Sequence, residues 1–311
     1  MLIYNPASGR QRGQREAKVS TAVSILRSSG IQAESCATTH AGSAVDQARQ
    51  AAEAGYDTII ACGGDGTVNE VLNGLMRTSA DATLGVIPLG SGNLLATDLL
   101  LPSNPEAAVK ALLRYQPRRL SPGVIRYQDR KGQRERFFIV AAGVGSDAEL
   151  MYQTAKGSKE RYGIYAYFLE MYRMALNGKF SMFRVEWLDE NGVRHHDKAT
   201  LVMAIRAKRF PGLLKRVRLG SELARNDYRL MVFRTDKVRH FLNFFLSVAS
   251  GLNWTVPQVG LPFSTWFRCT PLEAQAPESI HSEADGEILG TLPVEVGMDQ
   301  RTFKLLMPEN S

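Results

Sequence analysis

The stretch Cys62 to Glu70, CGGDGTVNE, constrains this chain more than any other. The run before it, Asp57 to Ala61 (DTIIA), is apolar and β-branched, which predicts a buried strand. After it, Val71, Leu72 and Leu75 recur at spacings of three and four, so Val68 to Leu75 predicts a helix. Gly63, Gly64, Asp65 and Gly66 lie between the two. Small residues let the backbone approach an anion, and the free N–H groups of a helix start point at it. Asp65 would repel a bare phosphate. It suits the site if a divalent cation lies between its carboxylate and the phosphates, directly or through water. The plainer alternative is a tight strand-to-helix turn with Asp65 as a helix cap.

Residues 1 to about 119 alternate strand and helix signals. Leu2–Tyr4 reads as a short strand, clipped enough to raise the question of a misplaced start. Glu16 to Arg27 reads as a helix ended by Gly30, Ile31–Ala37 as a strand, Ser43 to Ala54 as an alanine-rich helix, and Thr83–Ile87 as a strand. This order predicts a Rossmann-like parallel sheet with helices on its faces, and ligands beyond the carboxyl ends of its strands. Three loops at those ends are suited to an anion: NPASGR, CGGDGT and PLGSGN. In the last, Gly90, Ser91, Gly92 and Asn93 repeat the design of the first. Ser91 can donate a hydroxyl and Asn93 an amide; a helix-capping turn is the alternative. Glu106 to Tyr115 reads as a last helix that Pro117 stops.

From Leu120 onward strands dominate. Candidates are Gly123–Gln128, Arg136–Ala142, Phe183–Leu188, Ala199–Ile205, Arg229–Arg234, Phe263–Thr270 and Pro293–Gly297. A β-sandwich-like domain over residues 120–299 is expected. Two aromatic helical insertions interrupt it, at about Glu160–Leu176 and Val238–Gly251. They read as core-facing helices or, alternatively, as the wall of a lipid pocket.

A net charge of +7 favours an anionic partner without choosing among nucleotide, membrane and nucleic acid. Three scattered cysteines, Cys36, Cys62 and Cys269, argue against a disulfide framework or a zinc site and favour a reducing cytosol. No basic stretch followed by a long apolar run opens the sequence, so no secretory signal is expected. No window of about 18 uncharged apolar residues predicts a membrane span. No GxGxxG follows a strand, which disfavours a dinucleotide-binding dehydrogenase.

GGDGTVNEVLNG resembles the signature of the lipid kinases that share the diacylglycerol-kinase catalytic domain, a group that includes bacterial diacylglycerol kinases and sphingosine kinases. NAD kinases and phosphofructokinases share a GGDG-type loop. PLGSGN resembles the second glycine block of that family, although Leu94 and Leu95 follow Asn93 where many bacterial members continue Asp-Phe. The resemblance implies an NAD kinase/diacylglycerol kinase-like fold. Its nucleotide half would span 1–119, completed by the final residues 300–311. It further implies that ATP with Mg²⁺ is held by Asn5, Thr38, Gly63, Gly64, Asp65, Gly66, Thr67, Asn69, Glu70, Gly90, Ser91, Gly92 and Asn93, with Asp65 toward the metal.

Glu283 to Glu287 (EADGE) carries the remaining chemistry. Read alone, Asp285-Gly286 is a hairpin dipeptide. In the family the glutamate of D-G-E is the general base, which carries over to Glu287. Asp285 would orient the loop or approach the metal–phosphate region. A carboxylate is a suitable acceptor for the proton of an attacking hydroxyl. Two departures stand out. The family's acidic metal-binding segment falls on Leu219 to Asp227, where Arg225 replaces an aspartate, so that second metal is not expected. And Arg206 to Arg218 (RAKRFPGLLKRVR) is basic around apolar residues, which suits an anionic bilayer surface or, alternatively, a solvated edge.

The expectation is therefore an ATP-dependent kinase of a lipid hydroxyl, diacylglycerol or a related lipid. It would be cytoplasmic, peripheral at the inner membrane face, without nucleic-acid partners, and a homodimer if it follows its relatives. A kinase of a soluble acceptor such as a dinucleotide, and a non-catalytic nucleotide sensor, are the competing readings.

Overall fold

A computed structural model describes residues 1–6, 14–129, 132–145, 181–209, 220–237, 257–272 and 280–309, with 239–241, 243, 244 and 247 between them. Two compact units divide the chain, Met1–Pro122 with Asp299–Ser311, and Gly123–Met298.

The first unit is α/β. Strands β1 (Leu2–Tyr4), β2 (Ser35–Ala37), β3 (Thr58–Gly63) and β4 (Thr83–Pro88) are parallel, in the order β2-β1-β3-β4. The strand β18 (Phe303–Met307) comes from the end of the chain and pairs in parallel with β4. Strand β5 (Gln116–Leu120) closes the edge antiparallel to β18. The sequence reading stops its last helix at Tyr115 and has no strand there. The helix, α5, runs Pro105–Leu112, started by Asn104, whose side chain accepts the Ala107 N–H at 3.0 Å. Pro117 does not simply end the helix. It sits in an edge strand, where its missing N–H costs no ladder bond.

β3 and β4 are buried along nearly their whole length, as strands covered on both faces must be. Helices α1 (Arg15–Ser28), α2 (Ser43–Glu53), α3 (Asp65–Leu75) and the short α4 (Leu94–Asp98) supply the covers. α3 buries Val68, Val71, Leu72 and Leu75, which at about 2 kcal/mol per apolar side chain is a large share of this layer's stability. α2 meets it with Ala44, Val45, Ala48, Ala51 and Ala52. These small residues let the two helices approach closely: a Cβ at Gly74 would lie 2.3 Å from the Val45 carbonyl oxygen and 2.8 Å from the Ala48 Cβ.

The second unit is one antiparallel sheet that curls on itself, so the layers expected of a sandwich are parts of a continuous ladder. Its strands are β6 (Gly123–Asp129), β7 (Gly132–Phe138), β8 (Ala141–Gly145), β9 (Phe183–Leu188), β10 (Arg194–Ala199), β11 (Leu201–Ile205), β12 (Tyr228–Phe233), β13 (Val259–Gly260), β14 (Phe263–Ser264), β15 (Trp266–Thr270), β16 (His281–Ala284) and β17 (Glu287–Met298). The path runs β10-β9-β15-β17-β16-β8-β11-β12-β13. β17 pairs with β16 through its first half and with β15 through its second, and Pro293 falls within the register shift against β6. The core holds Phe138, Phe183, Trp187, Tyr228 and Phe267.

Of the two expected helical insertions, the first lies outside the described residues. In the second, Phe241 and Phe244 are buried on Phe233, with ring centroids 4.5 and 5.0 Å away. Those two rings face the core.

Gly74→Val drives a branched side chain into the backbone of α2 and should lower unfolding stability by about 1–3 kcal/mol, read from the midpoint of urea unfolding.

Candidate functional site

In the first unit, β1 and β3 are neighbours, but the chain leaves β1 toward β2 on one side and returns to β3 on the other. Such a reversal opens a crevice at the carboxyl ends of the strands. Asn5 follows β1, Thr38 follows β2, Gly63 ends β3 and Pro88 ends β4, so all four lie at that edge. The Thr38 N–H donates to the Tyr4 carbonyl at 2.8 Å, which continues the parallel ladder to this point.

The two glycine loops clasp each other. Leu89 and Gly90 both donate their N–H groups to the Gly63 carbonyl, at 2.9 and 3.2 Å. A Cβ at Gly90 would stand 2.3 Å from the Gly64 Cα, so no side chain fits at that crossing. Asn93 sits in the left-handed region (φ 53°). Its side chain braces its own loop, accepting from Gly90 N–H at 2.9 Å and donating to the Gly90 carbonyl at 2.8 Å. Asp65 ties the loops together: its Oδ1 accepts the Leu95 N–H at 3.2 Å, and its Oδ2 lies over Gly92. Ser91 and Gly92 are exposed, while Gly64, Asp65 and Gly66 are half-buried.

Two of the residues expected at the nucleotide have side chains engaged elsewhere. Asn69 is fully buried and accepts from Asn73 Nδ2, at 2.9 Å on its carbonyl and 3.1 Å on its Oδ1. Glu70 turns to the start of α2, where its two oxygens accept the Gly42 and Ala44 N–H groups at 2.9 and 3.2 Å. It acts as a cap supplied from another helix, because Gly42 has no side chain to do so. Thr67 is buried in the first turn of α3 but stays at the loop, with its Oγ1 against Gly63. The helical period that puts Gly64 and Asp65 at the loop carries Asn69 and Glu70 away from it.

Arg15, which sequence reasoning passed over, belongs to this region. It opens α1, is only 4% exposed, and its Nη2 donates to the Leu89 carbonyl at the entry of the second glycine loop. Ser8 and Gly9 lie outside the described residues.

In the second unit, Asp285 (φ 48°) and Gly286 (φ 84°) form the two-residue turn between β16 and β17. Asp285 departs from the catalytic role expected of it. It is buried, and its carboxylate accepts the N–H groups of Ile139, Val140 and Ala141 at 2.9, 2.8 and 3.0 Å, while its own N–H donates to the Ala141 carbonyl. It anchors the corner between β7 and β8, which the sequence reading runs through as one strand. Glu283 is buried too and accepts the Gly286 N–H at 3.0 Å. Among these acids Glu287 is the open one, its side chain 33% exposed and hydrogen-bonded to Arg136 Nη2.

The basic segment is divided. Arg206 is wholly buried, with Nη2 on the Leu223 carbonyl at 2.9 Å; burial pushes its pKa down to about 10, with Asp285 and Asp227 opposing. Lys208 pairs with Glu222. Arg225 and Arg229 lie over the Phe263 ring, and Arg225 is bonded to Asp227. Residues 210–218 lie outside the description. No helix among the described residues is long and apolar enough to cross a membrane. The three cysteines are free, and burial pushes the Cys62 and Cys269 thiols up, out of the reactive range.

A sequence profile of the diacylglycerol kinase catalytic domain matches residues 1–125. A protein named diacylglycerol kinase from Bacillus subtilis is 28% identical over 310 residues, 99% of this chain and 96% of that one. Another of that name from Staphylococcus saprophyticus is 31% identical over 189 residues, 61% of this chain and 59% of that protein, so this match spans under two thirds of the relative's length. The crystal structure of a diacylglycerol kinase from Bacillus anthracis superposes with a TM-score of 0.70 at 20% identity, covering 99% of this chain and 96% of the other. Residues 1–125 thus match the diacylglycerol kinase catalytic domain, and the whole chain is similar to proteins of that name and shares their fold.

Proposed function

We propose that this protein is an ATP-dependent kinase that transfers the γ-phosphoryl group to a lipid hydroxyl, with diacylglycerol or a related lipid as the acceptor. The observation that carries the reading is the clasp of the two glycine loops at the carboxyl edge of the parallel sheet. A crossing too tight for any Cβ leaves bare backbone where a phosphate can be approached closely. The names carried by the relatives supply the acceptor class.

In this reading the triphosphate lies against the loops at Gly63–Gly66 and Gly90–Gly92, with Asn5 and Thr38 toward the rest of the nucleotide. Asp65 would hold Mg²⁺, directly or through water, and the ion would neutralise charge on the phosphates. Asp65 fits, because it is the acidic side chain at the junction of the loops. Glu287 accepts the proton of the attacking hydroxyl. Arg136 holds that carboxylate in one orientation, and Asp285 fixes the turn from which it projects. Work at the cytoplasmic face of a membrane is part of this reading, and the net charge of +7 is compatible with an anionic bilayer there.

Incubation with labelled ATP, magnesium and a panel of lipids in detergent micelles should label a lipid alcohol. Labelling of NAD in buffer, or of nothing at all, would sink the lipid-kinase reading. Glu287→Gln should lower kcat by about 100-fold or more while ATP still binds, as separate turnover and titration measurements will show. Gly90→Val should force the loops apart and weaken ATP binding by more than about 10-fold in the same titration. Glu70→Ala should remove about 1 kcal/mol of stability in chemical unfolding and leave the KM for ATP unchanged.

A further inference from the structure

Every charged side chain buried in a protein needs an opposite charge or a full set of hydrogen bonds. Arg15 has neither. Its guanidinium makes one bond, from Nη2 to the Leu89 carbonyl, and both Nε and Nη1 are buried without a partner. Burial lowers its pKa from the ordinary arginine value, and no carboxylate among the described residues acts against that. Arg206, the other arginine deeply buried among the described residues, also leaves Nε and Nη1 without a partner but differs in charge balance: Asp285 and Asp227 lie near enough to favour its charge, and a second carbonyl, that of Arg225, accepts from its Nη2.

The place of this unbalanced cation is informative. Leu89 is the residue that enters the second glycine loop, and its N–H is one of the two on the Gly63 carbonyl. The Leu89 peptide therefore joins the loop clasp through its N–H and anchors Arg15 through its carbonyl. Arg15 also stands in the first turn of α1, a 14-residue helix whose free N–H groups add positive potential. A guanidinium presents several donors in a fixed plane, which matches the oxygens of a phosphate.

We propose that Arg15 is a binding residue for the polyphosphate chain of the nucleotide, the fixed counter-charge that the glycine loops lack. The proposal rests on the nucleotide reading of the preceding section. The anchoring bond to Leu89 holds the guanidinium at the loops, and phosphate oxygens accept from Nε and Nη1.

The test is titration of the full chain and of Arg15→Met with ATP, ADP, AMP and adenosine. The expected result for Arg15→Met is a loss of affinity for ATP of about 10- to 100-fold, a smaller loss for AMP and none for adenosine. The melting temperature without ligand should be unchanged or higher, since an unpaired buried charge has been removed. An equal loss with all four ligands, or no loss with ATP, overturns the assignment of Arg15 and leaves the nucleotide reading standing. If the unaltered protein binds none of the four, the nucleotide reading falls and Arg15's role with it. Should Arg15→Met fail to fold, inorganic tripolyphosphate and Arg15→Lys decide. Tripolyphosphate should raise the melting temperature of the unaltered protein more than that of the lysine variant, and an equal rise or none overturns the proposal.

Discussion

The Gly63 carbonyl receives two N–H groups, from Leu89 and Gly90, and the rest of the first unit depends on that contact. Two parallel strands end side by side, and their loops must turn away without separating. Only glycine at position 90 lets the two backbones touch, because a Cβ there would collide with the Gly64 Cα. Once they touch, Asp65 reaches the start of α4 and Asn93 folds back on its own loop. The chemistry expected at this edge thus follows from a packing constraint between main chains.

The second unit has a comparable device made with a side chain. Asp285 gathers three consecutive N–H groups at the corner between β7 and β8, and a corner in a curled sheet would otherwise leave those donors unpaired. The same residue occupies the turn that begins β17, so corner and turn are locked to each other. Glu287, one step beyond Gly286, gets its place from that lock and its orientation from Arg136. The acidic residue that reads as chemistry is architecture, and the architecture sets up its neighbour.

Much of this was legible in the residues. Apolar β-branched runs named the parallel strands, because strands covered on both faces must be apolar throughout. The glycine loops were legible because few other purposes need Gly-Gly-Asp-Gly between a strand and a helix. β5 was not, since Pro117 reads as a helix stop and its strand character exists only through pairing with β18 from the far end of the chain. Nor was the inward turn of Asn69 and Glu70, two polar residues whose partners lie on α3 and at the start of α2.

The sequence by itself determined where backbone could come close to backbone and where a helix must follow a strand, since glycine spacing and apolar period are local properties. It also carried the resemblance of those loops to the diacylglycerol kinase catalytic domain. Only the tertiary structure decided which polar groups remain open. Nothing in the chain marks Arg15, Asp285 or Arg206 as interior residues, yet all three are buried in the fold. Burial is a property of everything that packs around a side chain, and no short stretch of sequence contains it.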